Sequence, residues 1–231
     1  MTSANGAPVK SRRQDSSPMW VNPCGLAAED FNSDPEIEQL KDFDLVSQII
    51  VQSQTALSHT SLFREDFVKE CFKSDFENLH AQWKEVSYDW LPNFPELPKR
   101  LGEQLDVKHL EGSSMDEMLL KAYRFLQIFA VALEQIVWDQ EENNLPFFKY
   151  FREAELKLRA VLCEVQAALV ERAVPLGNDV TRDVMAEEYR STASSATFRN
   201  LRDFLILRDY INCLEYVNQL CEYLRTTLPP S

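Results

Sequence analysis

Apolar residues recur at helical spacing in four long stretches of the chain, and this periodicity predicts the architecture. The first stretch follows "SDPEIEQL", in which Ser33 or Asp34 can cap a helix and Pro35 suits its first turn. Its apolar positions are Ile37, Leu40, Phe43, Val46, Ile50, Leu57, Leu62, Phe63, Phe67 and Phe72. We expect a first helix over about 35–72, with "SHTS" as a candidate kink.

Three further helices are expected. The second, about 114–141, follows "EGSS", where Ser113 or Ser114 can cap it. The third, about 146–172, opens at Pro146 and stops before Pro175 and Gly177. The fourth covers about 197–227, and its apolar stripe is Phe198, Leu201, Phe204, Leu205, Ile211, Leu214, Val217, Cys221 and Leu224.

The lengths of the connections predict how the helices are arranged. The first and the last connections, of roughly 40 and 20 residues, can each cross the length of a bundle, whereas the Asn143–Asn144 turn is short. Pro92, Pro95 and Pro98 prevent a helix in the first connection. No segment alternates with period two. The fold class expected is therefore all-α: a long-chain four-helix bundle, up-up-down-down, over 34–228.

The first 33 residues are rich in Ser, Pro, Asn and charge, and they are expected to form a mobile tail with Trp20 as a local anchor. The chain has a net charge of −13, which disfavours nucleic acid and anionic membrane surfaces as partners. It contains no apolar run long enough to span a bilayer, and its start lacks the apolar stretch of a secretory signal. We expect no nucleic-acid partner and no membrane insertion.

The cysteine pattern gives no disulfide framework. The five cysteines are an odd number without CxxC spacing, so free buried thiols are expected, although the sequence leaves open whether any pair is bridged. No Asn-X-Ser/Thr acceptor site is present either.

Residues for catalysis or metal binding are not expected. "ENLH" places Glu77 and His80 three residues apart, as in di-iron bundles, but such a site needs a second Glu-x-x-His, which the chain lacks. Cys71 and His80 have no third group or Gly-rich oxyanion loop, and zinc-ligand spacing is absent. We therefore expect no enzyme, no cofactor and no metal.

Several stretches resemble one family of signalling proteins. "LLKAYRFLQIFAVALEQIVWDQ" is similar to the corresponding helix of ciliary neurotrophic factor, and "FDLVSQIIVQSQTALSHTSLFREDFV" to the first helix of cardiotrophin-like cytokine. "WLPNFPELPKRL" resembles the Pro-rich loop that follows that helix, and "FRNLRDFLILRDYINCLEYV" resembles the last helix of both. The likeness covers about Asp42 to Leu224, and the order and lengths of the segments carry it.

The resemblance implies a monomeric interleukin-6-type cytokine. Such a ligand binds receptor ectodomains, clusters a shared signal-transducing chain with a second receptor chain, and so activates Janus kinases and STAT proteins. By analogy, the first and third helices would meet the shared chain, and the start of the last helix and nearby loops the second. Localisation would be extracellular, reached by a leaderless route from the cytoplasm. The alternative is an intracellular helical scaffold or adaptor, which would expose a continuous apolar groove or oligomerise.

The resemblance also implies a receptor-binding edge at the start of the last helix, where the family carries Phe-x-x-Lys. Phe198 matches the Phe, Leu201 stands at the Lys position, and the nearest cation is Arg202, about 100° further round the helix. The receptor-binding residues expected are thus Phe198, Leu201 and Arg202. The spacing of Phe198 from Leu201 and Phe204 also fits the core stripe, so Phe198 is either a receptor anchor or a core residue.

Overall fold

The computed structural model describes residues 16–25, 40–190 and 195–229, and every regular element among them is helical. The α-helices are α1 (Asp42–Phe72), α2 (Phe76–Trp83), α3 (Met115–Glu142), α4 (Phe148–Glu171), α5 (Glu187–Arg190) and α6 (Ala196–Thr227). Two 3-10 turns cover Val107–Leu110 and Arg182–Val184. The protein is all-α, as the hydrophobic pattern predicts.

A local end signal explains the start of α3. Ser114 and Glu117 form a capping box at the start of α3, in which the Ser114 Oγ accepts from the Glu117 N–H and the Glu117 carboxylate accepts from the Ser114 N–H. The boundaries of α3, α4 and α6 lie within two residues of those expected. α1 instead begins at Asp42, because Lys41 has an extended backbone. The expected start at 35–39 lies outside the described residues, and α1 continues unbroken through "SHTS".

The four long helices pack in a defined set of pairs. α1 packs against α4 and α6, and α3 packs against the same two helices. The carboxyl end of α1 meets the amino ends of both partners, since Phe67 touches Phe147 with ring centroids 5.3 Å apart and Phe72 touches Phe204 at 5.7 Å. At the opposite end of the molecule, Arg172 pairs with carboxylates at the starts of α1 and α3.

The first connection, between α2 and α3, is fixed to α6 by buried polar side chains. The Lys99 Nζ lies 2.9 Å from the Asn212 Oδ1 and 2.6 Å from a Glu215 carboxylate oxygen. Further along α6 towards its start, the Arg208 guanidinium donates to the carbonyls of Trp83 and Val86, at 2.7 Å each. Buried ammonium and guanidinium groups need such partners, so these bonds determine where the connection lies.

Residues 16–25 are packed against α3 and α4 and do not form the tail expected for them. The Trp20 side chain is 1% exposed, and its Nε1 donates to the Val180 carbonyl at 2.7 Å. The Gln127 Nε2 donates to the Trp20 carbonyl, and the Arg159 Nε donates to the Pro23 carbonyl at 2.8 Å. Trp20 is thus an anchor, as expected, but one that ties this segment into the main core. The rest of the expected tail, residues 1–15 and 26–33, lies outside the described residues.

A disulfide joins this segment to α4 and corrects the expectation of free thiols. Cys24 is bonded to Cys163, 139 residues away in sequence. Cys71, Cys213 and Cys221 are free, and the last two are buried. Spacing along the chain could not reveal the bridge, because only the docking of residues 16–25 on α4 brings the two sulfurs together.

Candidate functional site

The first turn of α6 carries an exposed aromatic side chain. Phe198 is 65% exposed, and its neighbours Ala196 and Thr197 are exposed as well. From Phe204 onwards the apolar stripe of α6 is almost completely buried. Phe198 has the helical phase of a core residue, but it lies at the very end of the helix, where no core surrounds it. Of the two alternatives for Phe198, the described structure fits the surface position.

The other two expected receptor contacts are placed differently. Leu201 is half-buried against the core. Arg202 is 1% exposed, and its guanidinium donates to the Asp139 Oδ2 at 2.7 Å and to the Asp203 Oδ1 at 2.6 Å. The Arg202 side chain therefore does not reach the surface in this conformation. Only Phe198 of the three residues presents most of its side chain to solvent.

Arg202 lies in a buried charge cluster beneath this surface. Asp139 belongs to α3 and also accepts from the Gln135 Nε2 at 3.0 Å. Burial raises the pKa of the Asp203 carboxyl to about 6, against the opposing effect of the neighbouring Arg202 charge. The Asp203 Oδ2 has no hydrogen-bond partner among the described residues. The cluster joins the end of α3 to the start of α6, and it contains one carboxyl whose pKa is raised by burial.

Both long connections meet at this end of the molecule. The Arg202 Nη1 donates to the Tyr189 carbonyl at 3.0 Å, which fixes the second connection to α6. The Tyr189 ring meets that of Tyr88 with centroids 4.8 Å apart and that of Trp90 at 6.0 Å, and both of these belong to the first connection. The sequence gives no signal for this aromatic cluster, because its two parts are about a hundred residues apart.

A second surface of interest is the outer seam between α1 and α4. Leu62 of α1 is 71% exposed, and Tyr150 of α4 is also exposed. The His59 Nε2 lies 3.0 Å from the Tyr150 carbonyl, and the Phe63 ring stacks on that of Tyr150 at 5.3 Å. Because Leu62 is three residues from His59, it lies beside this seam. The seam therefore carries exposed apolar side chains beside a core in which Phe63 is completely buried.

The described residues contain no group of three or more His, Cys, Asp or Glu side chains that could hold a metal ion. Among the same residues, no helix combines the length and the apolar character that crossing a membrane requires.

Comparisons with family models, with curated proteins and with solved structures found no match to this chain.

Proposed function

We propose that this protein is an extracellular signalling ligand of the interleukin-6 type, which binds cytokine receptor ectodomains and activates Janus kinases and STAT proteins. It would act through outer surfaces and without a cofactor. The proposal starts from the sequence resemblance, because a helical fold alone does not give a function.

The proposal includes the up-up-down-down arrangement of the four long helices. α3 is antiparallel to α6, because Phe129 meets Tyr210 whereas Phe125, earlier in α3, meets Tyr216, later in α6. α1 is antiparallel to α6 as well, since the carboxyl end of α1 meets the start of α6. Arg172 at the end of α4 joins Asp42 and Asp116, which stand at the starts of α1 and α3. These contacts support parallel α1 and α3 that run against parallel α4 and α6, the order that two long connections permit.

The exposure of Phe198 carries the functional proposal. A largely exposed aromatic ring leaves apolar surface in contact with water, which is unfavourable, and it contributes little to the core. Its presence at a helix end therefore suits a surface that binds a partner. The ring stands on the same helix end that Arg202 ties to Asp139 and to the second connection. A receptor chain would therefore meet Phe198 on a support that the charge cluster holds in place.

The Cys24–Cys163 disulfide supports an extracellular location over the intracellular scaffold. Disulfides persist in oxidising compartments and are rare in the cytosol. The bridge would close in such an oxidising compartment outside the cell.

A cell assay with purified, oxidised full-length protein tests the proposal. Cells bearing interleukin-6-type receptors are treated with increasing protein, and STAT phosphorylation is measured with and without an antibody that blocks the shared receptor chain. We expect a saturating response that the antibody abolishes. If protein shown to be monomeric and helical caused no STAT phosphorylation across a panel of such receptors, the proposal would be overturned and the intracellular scaffold would be favoured.

A further inference from the structure

Residues 16–25 and the second connection are held by the same side chain of α3. The Gln127 Nε2 donates to the Trp20 carbonyl and, at 2.6 Å, to the Asp179 Oδ1. The Gln127 Oε1 accepts from the Val180 N–H at 3.2 Å, and the Val180 carbonyl accepts from the Trp20 indole. One amide side chain therefore bonds both segments, and each segment completes the bonding of the other.

Arg182 of the second connection makes a further link between them. Its guanidinium carbon lies 5.7 Å from the ring centroid of Trp20 and 5.3 Å from that of Trp138. The guanidinium also binds both carboxylate oxygens of Glu134 and donates to the Ser16 carbonyl at 3.1 Å. Residues 16–25 and 179–190 thus form one layer, which we call the cover.

The faces of α3 and α4 beneath the cover carry side chains typical of a protein surface. Four polar side chains in these faces are 6% exposed or less: Gln127, Glu134, Glu155 and Gln166. Glutamine and glutamate are mostly exposed in proteins, because burying them costs free energy unless they are bonded. Burial raises the pKa of the Glu155 carboxyl, which borders the same small gap as Trp20, despite the nearby Arg152 charge. Such faces tolerate water better than the apolar core does, so the cover can leave without exposing that core.

The Cys24–Cys163 bridge ties the cover to α4. Both cysteines are half-buried, so a reductant in solution can reach the bridge. Beside it, the Cys24 N–H donates to the Gln166 Oε1 at 3.5 Å and the Pro23 carbonyl accepts from Arg159. A covalent tie keeps the segment at a high effective concentration next to its docking face. Without the tie, docking depends on the noncovalent contacts alone.

We propose that the Cys24–Cys163 bridge is a redox latch that holds the cover closed over α3 and α4. A dithiol reductant opens it: one thiolate attacks a bridge sulfur to form a mixed disulfide, and the second thiol resolves it as the reductant's own disulfide. Cys24 and Cys163 gain two electrons and two protons and become thiols, and the reductant loses the same two electrons.

Opening the latch releases both parts of the cover. Residues 16–25 undock, and residues 179–190 lose the bonds that they share with Trp20. The released part includes Tyr189, whose carbonyl accepts from Arg202 beneath the Phe198 end of α6. The four long helices stay packed, and so does the first connection, which is fixed separately to α6. The inference rests on these contacts and does not depend on the proposed signalling function.

Two backbone amides give a matched test, because each is bonded to a glutamine side chain of a long helix. In the cover, the Val180 N–H donates to Gln127 of α3. In the first connection, the Leu105 N–H donates to Gln219 of α6 at 2.7 Å. Hydrogen exchange of both amides is measured by NMR on the full chain, oxidised and after reduction by dithiothreitol. Circular dichroism follows the helix content, and thiol labelling confirms that reduction is complete.

Reduction should act on only one of the two amides. We expect Val180 to exchange at least about tenfold faster in the reduced protein, whereas Leu105 stays within about twofold of its rate and the helix content is kept. An unchanged Val180 rate would overturn the proposal. Equal acceleration of both amides, or a loss of helix, would also contradict it, because the bridge would then stabilise the whole bundle rather than the cover.

Variants separate the latch from the other thiols. Cys24→Ser with Cys163→Ser should give the fast Val180 exchange of the reduced protein without reductant, whereas Cys71→Ser, which removes a free thiol, should keep the native response. Trp20→Ala with the bridge closed should also speed Val180 exchange, and an unchanged rate in that variant would contradict the shared cover. The reductant experiment uses the native chain, so it decides the question even if the double variant fails to fold.

Discussion

Arg202 of α6 and Asp139 of α3 form a hydrogen-bonded ion pair, 2.7 Å long, that is almost completely buried. The same guanidinium also binds Asp203 and the Tyr189 carbonyl, so one side chain connects α3, α6 and the second connection. Arg202, the cation nearest to the position of the family's Lys, thus has a structural role. Its burial places Phe198, one turn earlier, on a fixed support.

Replacing Arg202 should destabilise the protein strongly. Arg202→Ala leaves Asp139 and Asp203 buried without their cation, and breaking a buried pair in this way costs about 3–5 kcal/mol. Urea unfolding followed by circular dichroism measures the loss in the free energy of unfolding. Arg225→Ala, which removes an exposed arginine from the same helix, should change that free energy by less than about 0.5 kcal/mol. Equal small effects of the two substitutions would contradict the buried charge cluster.

The stability of the protein should depend on the ionisation of Asp203. The pKa of its carboxyl in the folded protein, about 6, lies above the value of 3.8 for the exposed group, so the folded state binds the proton more tightly. The stabilisation is complete below the unfolded-state pKa and is lost as the pH rises through 6. Lowering the pH from 7.4 to 5.0 should therefore raise the free energy of unfolding by about 1.4 kcal/mol through this group.

Asp203→Asn isolates that contribution from those of the other carboxyls. When the pH falls from 7.4 to 5.0, the free energy of unfolding of the native protein should rise by about 1.4 kcal/mol relative to that of the Asn variant. The measurement is chemical denaturation of both proteins at the two pH values. A difference that does not vary with pH would show that Asp203 does not titrate in this range.

Removing the disulfide should destabilise the fold and release the segment around Trp20. Cys24→Ser with Cys163→Ser eliminates a bridge between residues 139 apart, a change that typically costs about 2–5 kcal/mol. Guanidinium unfolding with and without reductant gives the free energy. The exposure of Trp20 is followed by tryptophan fluorescence, with Trp20→Phe in the same background to subtract the signal of the other three tryptophans. Cys71→Ser is the matched control, because that thiol is free. If reductant left the native protein as stable as before, the bridge would have no role in stability.

The helices were predictable from sequence where a local signal coincides with the packing. The capping box at Ser114 and Glu117 and the Asn143–Asn144 turn bound α3 to within two residues of the expected range. The start of α1 was not predictable in this way, because acidic residues suited to a first turn occur both near Pro35 and at Asp42 and Asp44. Local chemistry does not decide between two equivalent starts.

The candidate site was predictable only in part, because periodicity gives the angle of a residue around a helix and not its position along the core. Phe198 has a core-facing angle but lies beyond the packed layer, whereas Arg202 has a charged side chain but lies within it. The partners that bury Arg202 are distant in sequence: Asp139 is 63 positions away. The contacts of Cys24 and Tyr189 are likewise long-range, and no short pattern in the chain encodes them.

The most direct test of the receptor surface compares two exposed apolar residues. Val107 is exposed in the 3-10 turn of the first connection. The N–H of the nearby Leu105 donates to the Gln219 side chain, which lies about 30 Å along α6 from Phe198, so Val107 is far from the expected receptor edge. Phe198→Ala and Val107→Ala are each measured for STAT phosphorylation on receptor-bearing cells and for free energy of unfolding. Removing an interface hot spot costs about 2 kcal/mol or more, so we expect Phe198→Ala to shift the half-maximal dose upwards by about thirtyfold. Its stability should stay within about 0.5 kcal/mol of the native protein, and Val107→Ala should signal normally. An unchanged dose response for Phe198→Ala in stable protein, or a loss of activity matched by a loss of stability, would contradict the assignment of Phe198 to a receptor surface.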